Sequence, residues 1–174
     1  MLRRASLHHT YVMVFSGDPA LHLPVVPDEA PGNEPERKRI TAERERLLRV
    51  ARETGNWPDI TVSGEVPTLW TMRSIVGELS YLHGEAKRHR LTVTELAELC
   101  FRYSLVDVEN LEGLKLLHGV DAAGRKWLHS DSVTAIKELG ADSGMPSLGH
   151  DLILELGALA LNRAENGGGL SGKS

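Results

Sequence analysis

Four prolines lie close together near the start of the chain, at Pro24, Pro27, Pro31 and Pro35. Proline fixes φ and has no backbone N–H, so this stretch can join neither the interior of a helix nor a central strand. It separates a β-rich run at residues 11–15 from everything that follows. We therefore predict three parts: an N-terminal strand with a Pro-rich extended connector over residues 1–35, a single mainly helical domain over residues 36–164, and a disordered Gly/Ser tail over residues 165–174.

Apolar residues recur at helical spacing in four longer segments: residues 36–53, 75–90, 92–104 and 148–163. The last has the widest apolar stripe, whereas residues 36–53 are dominated by charges. Ser130 or Asp131 can cap a further short helix that stops at Gly140. Residues 59–63 and 68–72 alternate as strands do, and the turn between them predicts a β-hairpin. The expected fold is mainly helical α+β, with a small antiparallel β-hairpin element near the N-terminal half packed with about four helices.

These stripes also predict the core. Its members should be Leu69, Ile75, Leu79, Leu82, Leu96, Leu99, Cys100, Leu152, Leu156 and Leu159. Cys100 is the only cysteine, which excludes an intrachain disulfide and a thiolate metal cluster. Its apolar neighbours predict a buried, unreactive thiol.

The charge balance limits the classes of partner. Twenty basic residues stand against 24 acidic ones, a net charge of −4, so no strong field attracts nucleic acid. No apolar run approaches the ~18 residues of a membrane span, and residues 11–15 are too short for the apolar part of a signal peptide. We expect a soluble intracellular protein with no membrane contact.

One stretch of the sequence matches the consensus of a phosphate-binding loop. Residues 167–174 read GGGLSGKS, which fits the phosphate-binding pattern G-x-x-x-x-G-K-S. That loop works between a buried strand and a following helix, and here a helix precedes it. We therefore interpret these residues as a flexible Gly/Ser tail and expect no nucleotide cofactor.

Other catalytic and metal-binding patterns are weak. The eight histidines, which include the neighbours His8 and His9, show no H-x-x-x-H or H-E-x-x-H spacing. Glu95 and Glu98 could pair as carboxylates on one helix, but Leu96 and Leu99 mark the buried face, so both are expected in solvent. We predict no catalytic residues, no cofactor and no metal, and therefore no enzyme.

A DNA-binding reading is the alternative function. Residues 91–99 resemble the opening helix of a helix-turn-helix, and Lys87, Arg88, His89 and Arg90 form a basic run just before it. A recognition helix with exposed basic or amide side chains should then follow. Residues 103–109 are acidic and poorly helical instead, which leaves a small helix-turn-helix-like regulator as the second hypothesis.

The order of landmarks along the chain is similar to a known family. Asp18-Pro19-Ala20 follows the N-terminal strand, residues 66–73 (VPTLWTMR) resemble a P-T-x-F-x-x-R strand, and residues 101–111 (FRYSLVDVENL) resemble an R-Y-G-L-V-x-x-E-N segment. A turn at residues 121–124 and a helix at residues 151–162 complete the pattern. The chain thus resembles the tail assembly chaperones, or closely related tail proteins, of long-tailed bacteriophages over roughly residues 11–165. Ser104 stands where the pattern has glycine, and the helix at 36–54 is longer and more charged.

The resemblance implies a non-catalytic role in virion morphogenesis. Such proteins act in the host cell cytoplasm, associate with the tape-measure protein and help to recruit tail-tube subunits. It implies that partner binding involves the two matching segments and the region after the turn, through Trp70, Arg73, Tyr103, Leu105, Val108 and Trp127. Self-association is left open.

Overall fold

A computed structural model describes residues 10–166, and its fold is mainly helical α+β with a small antiparallel sheet. This confirms the predicted fold class. The strands are β1 (Thr10–Met13), β2 (Leu69–Arg73), β3 (Leu105–Glu109), β4 (His118–Val120) and β5 (Lys126–Leu128). The helices are α1 (Glu34–Thr54), α2 (Leu79–Arg88), α3 (Val93–Ser104), α4 (Ser130–Lys137) and α5 (Leu148–Glu165). None of these helices is long and apolar enough to cross a membrane.

The main sheet has the order β1-β2-β3, with both pairs antiparallel. Strand β2 is central: Trp70 lies opposite Met13 of β1 and Val108 of β3. Trp70 and Met72 point to the buried face of this sheet, as the alternating burial along β2 requires. Strands β4 and β5 form a separate two-stranded hairpin around the predicted turn at residues 121–124.

The predicted hairpin between residues 59–63 and 68–72 is wrong. Residues 57–60 and 62–64 form two 3-10 turns, and Thr61 makes only an isolated bridge to Leu21. Pro58 suits the first turn of a helix, and the spacing of three between Trp57 and Ile60 buries both side chains on one side of that turn. The partners of β2 are instead supplied by segments far away in the sequence.

Helices α3 and α5 make the most extensive contact in the core. Gly157 lets the two backbones approach, because a Cβ at this position would collide with the carbonyl of Ala97. The predicted core residues Ile75, Leu82, Cys100, Leu152 and Leu156 are buried, and Leu69, Leu79, Leu96 and Leu99 are partly buried against the core clusters.

Leu159 is not a core residue, so its predicted burial is wrong. It is 41% exposed, because it lies on the side of α5 opposite Gly157, which packs against Ala97 of α3. Leu159 lies beside that contact and faces away from it.

Helix α1 is attached through a second, smaller core. Only Leu48 and Ala51 of its 21 residues are buried. They pack in a cluster made of Val14, Leu23, Leu48, Ala51, Trp57 and Ile60. The helix begins earlier than expected, because Pro35 occupies its first turn, where proline is tolerated, and it ends at Gly55 with φ 71°.

Two further helix starts follow from capping. Thr92 accepts a hydrogen bond from the N–H of Glu95, and the Glu95 side chain returns to Thr92, which forms a capping box for α3. Helix α4 is capped by His129, whose Nδ1 accepts from the N–H of Asp131 at 3.1 Å, so the expected cap at Ser130 or Asp131 is corrected by one residue. The chain leaves α3 directly as strand β3, so the recognition helix of a helix-turn-helix does not follow α3.

Candidate interaction site

The six residues expected at a partner interface fall into two groups. Trp70, Tyr103 and Leu105 are buried in the core, with 1%, 1% and 2% of their surface exposed, so their side chains present almost no surface. Arg73, Val108 and Trp127 are partly buried. Trp70 and Val108 face each other across β2 and β3, whereas Trp127 belongs to the β4–β5 hairpin and Arg73 and Tyr103 contact that hairpin.

The turn of this hairpin is held by Asp121. Its Oδ1 accepts from the backbone N–H groups of Ala123 and Arg125 at 2.9 and 2.8 Å, and its Oδ2 accepts from the Tyr103 hydroxyl at 2.8 Å. Burial opposes ionisation of this carboxyl, but the hydrogen bonds outweigh it and lower its pKa to about 2. Burial raises the pKa of the Tyr103 phenol, so this group remains a donor to the carboxylate.

Arginines and aromatic rings complete the cluster around the hairpin. The Arg102 guanidinium lies 3.6 Å from the centre of the Trp127 ring and donates to the carbonyl of Leu128 at 3.0 Å. The Arg125 guanidinium lies 4.0 Å from the centre of the Tyr81 ring. Arg73 donates to Glu78 at 3.0 Å and to the carbonyl of Lys126 at 3.4 Å. Each charged group here already has a partner, so the cluster mainly fixes the hairpin on α2 and α3.

A second site lies between α1 and α5. Its walls are a stripe along one side of α1 and a stripe on α5, and its floor is the end of β1 with the residues that follow. We call it the α1–α5 groove; it has a cavity volume of about 560 Å³ and is lined by Met13, Val14, Ser16, Thr41, Arg44, Glu45, Leu48, Arg49, Arg52, Glu155 and Leu159. The exposed Leu159 is therefore part of an apolar surface that continues to Met13, Val14 and Leu48.

The charged groups of the groove are unequally satisfied. Arg44 donates to the carbonyls of Pro24 and Ser16 at 2.8 and 3.3 Å, and Glu155 accepts from both the N–H and the hydroxyl of Ser16. Within residues 10–166, neither Arg49 nor Arg52 forms an ion pair with a carboxylate. The nearest polar contact of Arg52 is the sulfur of Met13 at 3.4 Å.

Arg163 lies on α5 one helical turn beyond the groove residue Leu159. Its guanidinium lies 4.0 Å from the centre of the Tyr11 ring, and its Nε is buried with no hydrogen-bond acceptor among residues 10–166. Burial and the positive charge of Arg163 lower the pKa of Arg52, and the nearby carboxylates of Glu53 and Glu155 act in the opposite direction. Two positive charges therefore lie near each other, with Arg163 partly buried and Arg52 exposed at the surface.

The residues considered for chemistry have structural roles. Burial raises the pKa of the Cys100 thiol to about 12, which disfavours the reactive thiolate. Glu95 belongs to the capping box of α3, and Glu98 pairs with Lys137 of α4. Across residues 10–166, no group of three or more His, Cys, Asp or Glu side chains could hold a metal ion. His8, His9 and the glycine-rich stretch at residues 167–174 lie outside the described residues.

No protein-family model, curated protein or solved structure matches this chain. Sequence reasoning missed the α1–α5 groove, because its walls come from helices far apart in the chain. One signal was present: Glu155, Leu159 and Arg163 recur every four residues, so an apolar side chain stands between opposite charges on one face of α5. A leucine in that setting indicates a half-exposed position at the edge of a core.

Proposed function

We propose that the chain is a non-catalytic tail assembly protein of a long-tailed bacteriophage that binds the tape-measure protein and the tail-tube protein during tail morphogenesis in the host cytoplasm. The α1–α5 groove is the observation that carries this proposal. A tape-measure protein offers long helical segments, and an apolar groove between two helix walls is a common site for an added amphipathic helix.

The packing of α1 supports the same reading. The two buried residues of α1, Leu48 and Ala51, lie late in the helix. The earlier turns of α1 therefore bury no side chain completely. An element of this kind gains packing when a partner fills the groove. The two segments that resemble the tail-assembly pattern also lie side by side, as β2 and the end of α3 with β3.

A co-expression experiment tests the proposal. The tagged chain is produced with the tape-measure protein and the tube protein encoded in the same phage genome, and we expect both to co-purify with it. Leu159→Glu should reduce capture of the tape-measure protein by about tenfold, because it places a charge on the apolar surface of the groove. Val50→Glu is the matched control, since Val50 is 40% exposed on α1 and does not line the groove.

The same preparation tests the DNA-binding alternative. A regulator would shift duplex DNA with steep salt dependence and would lose the shift in the triple variant Lys87→Ala, Arg88→Ala and Arg90→Ala. All three side chains are exposed, and Arg88 pairs with Glu85, so the variant removes charge without opening the core. A DNA shift of this kind, with no capture of either tail protein, would refute the proposed function.

A further inference from the structure

We infer that the α1–α5 groove holds an amphipathic helix of a partner protein through a carboxylate side chain of that helix, which is bound by Arg52 and Arg163. This deepens the proposed function and rests on it only for the identity of the partner. The inference names the chemistry that the partner must carry: an apolar face with an acidic residue at its edge.

Charge complementarity is the first reason. The groove is lined by three arginines, Arg44, Arg49 and Arg52, against the two carboxylates of Glu45 and Glu155. Within residues 10–166, Arg49 and Arg52 make no ion pair, and Glu155, which is hydrogen-bonded to Ser16, offsets only part of the charge of Arg52. Arg163, one helical turn beyond the groove residue Leu159, adds a third guanidinium whose Nε has no acceptor within residues 10–166. Arginine binds carboxylates in a planar, two-point geometry, so this is a site for a carboxylate rather than for a base or a hydroxyl.

The unsatisfied state of the two arginines is the second reason. A buried Nε without an acceptor and two neighbouring positive charges are both unfavourable in the isolated chain. A carboxylate placed between the two guanidinium groups would relieve both penalties at once. Two other arginines of α1 differ: Arg39 and Arg46 are each paired with a glutamate on the same helix.

The shape of the groove is the third reason. Residues of α1 at helical spacing, including Thr41, Leu48 and Arg52, line the groove opposite Glu155 and Leu159 of α5, and Arg163 follows one helical turn after Leu159. A helix lying between them would place its apolar face on Leu48 and Leu159 and an acidic residue near Arg52. Both ends of the proposed contact are thus supplied by side chains already in place.

Binding of synthetic helices to the full-length protein tests the inference. The probe is an amphipathic peptide of about 14 residues with leucines on one face and glutamates along the edge, and its matched control has glutamine in place of every glutamate. We expect the glutamate peptide to bind about tenfold more tightly by fluorescence anisotropy. The preference should fall to about twofold in Arg52→Gln and in Arg163→Gln, and it should persist in Arg46→Gln, which alters a paired arginine on α1 outside the groove.

A charge-reversal variant distinguishes loss of the carboxylate site from unfolding of the protein. Arg52→Glu should bind a lysine version of the peptide more tightly than the glutamate version, an inversion that no loss of structure produces. Equal binding of the glutamate and glutamine peptides, an unchanged preference in Arg52→Gln and Arg163→Gln, or no measurable binding of either peptide would overturn the inference. A dimer in sedimentation experiments that Arg52→Gln dissolves would instead make a second copy of the chain the occupant, and would also overturn it.

The two proposals can fail separately. Glutamate-dependent peptide binding without capture of the tape-measure protein would refute the proposed function and leave the carboxylate site intact. Capture of the tape-measure protein that survives Arg52→Gln and Arg163→Gln would refute the carboxylate site alone.

Discussion

The Tyr103 hydroxyl joins the core to the β4–β5 hairpin through one hydrogen bond to Asp121. Tyr103→Phe removes this bond and leaves the stacking on Trp127, so we expect the free energy of unfolding to fall by about 1–2 kcal/mol. Urea denaturation measures the loss. A double-mutant cycle with Asp121→Asn isolates the pair, and independent, additive effects would contradict the assignment.

The low pKa of Asp121 predicts that the protein loses stability in acid. Its pKa is about 2 in the folded chain, whereas a free aspartate titrates at about 3.9. A carboxyl whose pKa is lowered by folding stabilises the fold above the unfolded pKa, and this contribution disappears as the pH falls from about 4 through about 2. Carbon-detected NMR should show the Asp121 carboxyl titrating with a midpoint near 2, and a midpoint near 4 would show that the hydrogen bonds do not form.

Among the elements, the contact between α3 and α5 depends on a glycine. Gly157→Ala places a methyl group against the backbone of Ala97, so we expect a destabilisation of about 1–3 kcal/mol. Gly84→Ala is the matched control, because Gly84 lies in α2 with open space around it and alanine favours a helix by about 1 kcal/mol. Thermal unfolding should therefore move in opposite directions for the two variants.

Two leucines on α5 provide a second comparison at this scale. Leu156 is fully buried, so Leu156→Ala should cost about 2–5 kcal/mol. Leu159→Ala should change the free energy of unfolding by less than about 0.5 kcal/mol, since its side chain is exposed in the groove. Similar losses at both positions in chemical denaturation would mean that Leu159 is part of the core after all.

Helices were more predictable than strands, for a local reason. The apolar stripes of α3 and α5 repeat within a few residues, and both helices were predicted from the sequence at nearly their observed bounds. The partners of β2 lie in β1 and β3, and no short-range pattern specifies such distant pairing, so alternation near Ile60 was mistaken for a strand.

The candidate site shows the same limit. The segments around Arg73, Tyr103 and Trp127 were singled out from the sequence, and the structure brings these three residues to one hairpin. The groove was not anticipated, because Arg52 and Leu159 read separately as a charged helix face and a core leucine. Only their juxtaposition across α1 and α5 gives them a common surface.

Across the whole molecule, the two cores predict unequal stability. α1 buries two side chains, whereas α5 buries seven residues against the main core. Hydrogen–deuterium exchange should therefore be faster at the amides of residues 38–47 than at those of residues 152–160, because local opening of α1 exposes little apolar surface. A peptide or partner bound in the groove should slow exchange in α1 selectively, and equal protection of both helices in the free chain would contradict this prediction.

The central position of β2 also governs the order of events during synthesis. Strand β1 is synthesised before β2, its partner in the main sheet, and the whole of α1 is translated between them. Closing so long a loop has an entropic cost, which local helix formation does not bear. We therefore expect the sheet to be completed late, after the local helices have formed. Until β2 is synthesised, β1 has no strand of the main sheet to pair with.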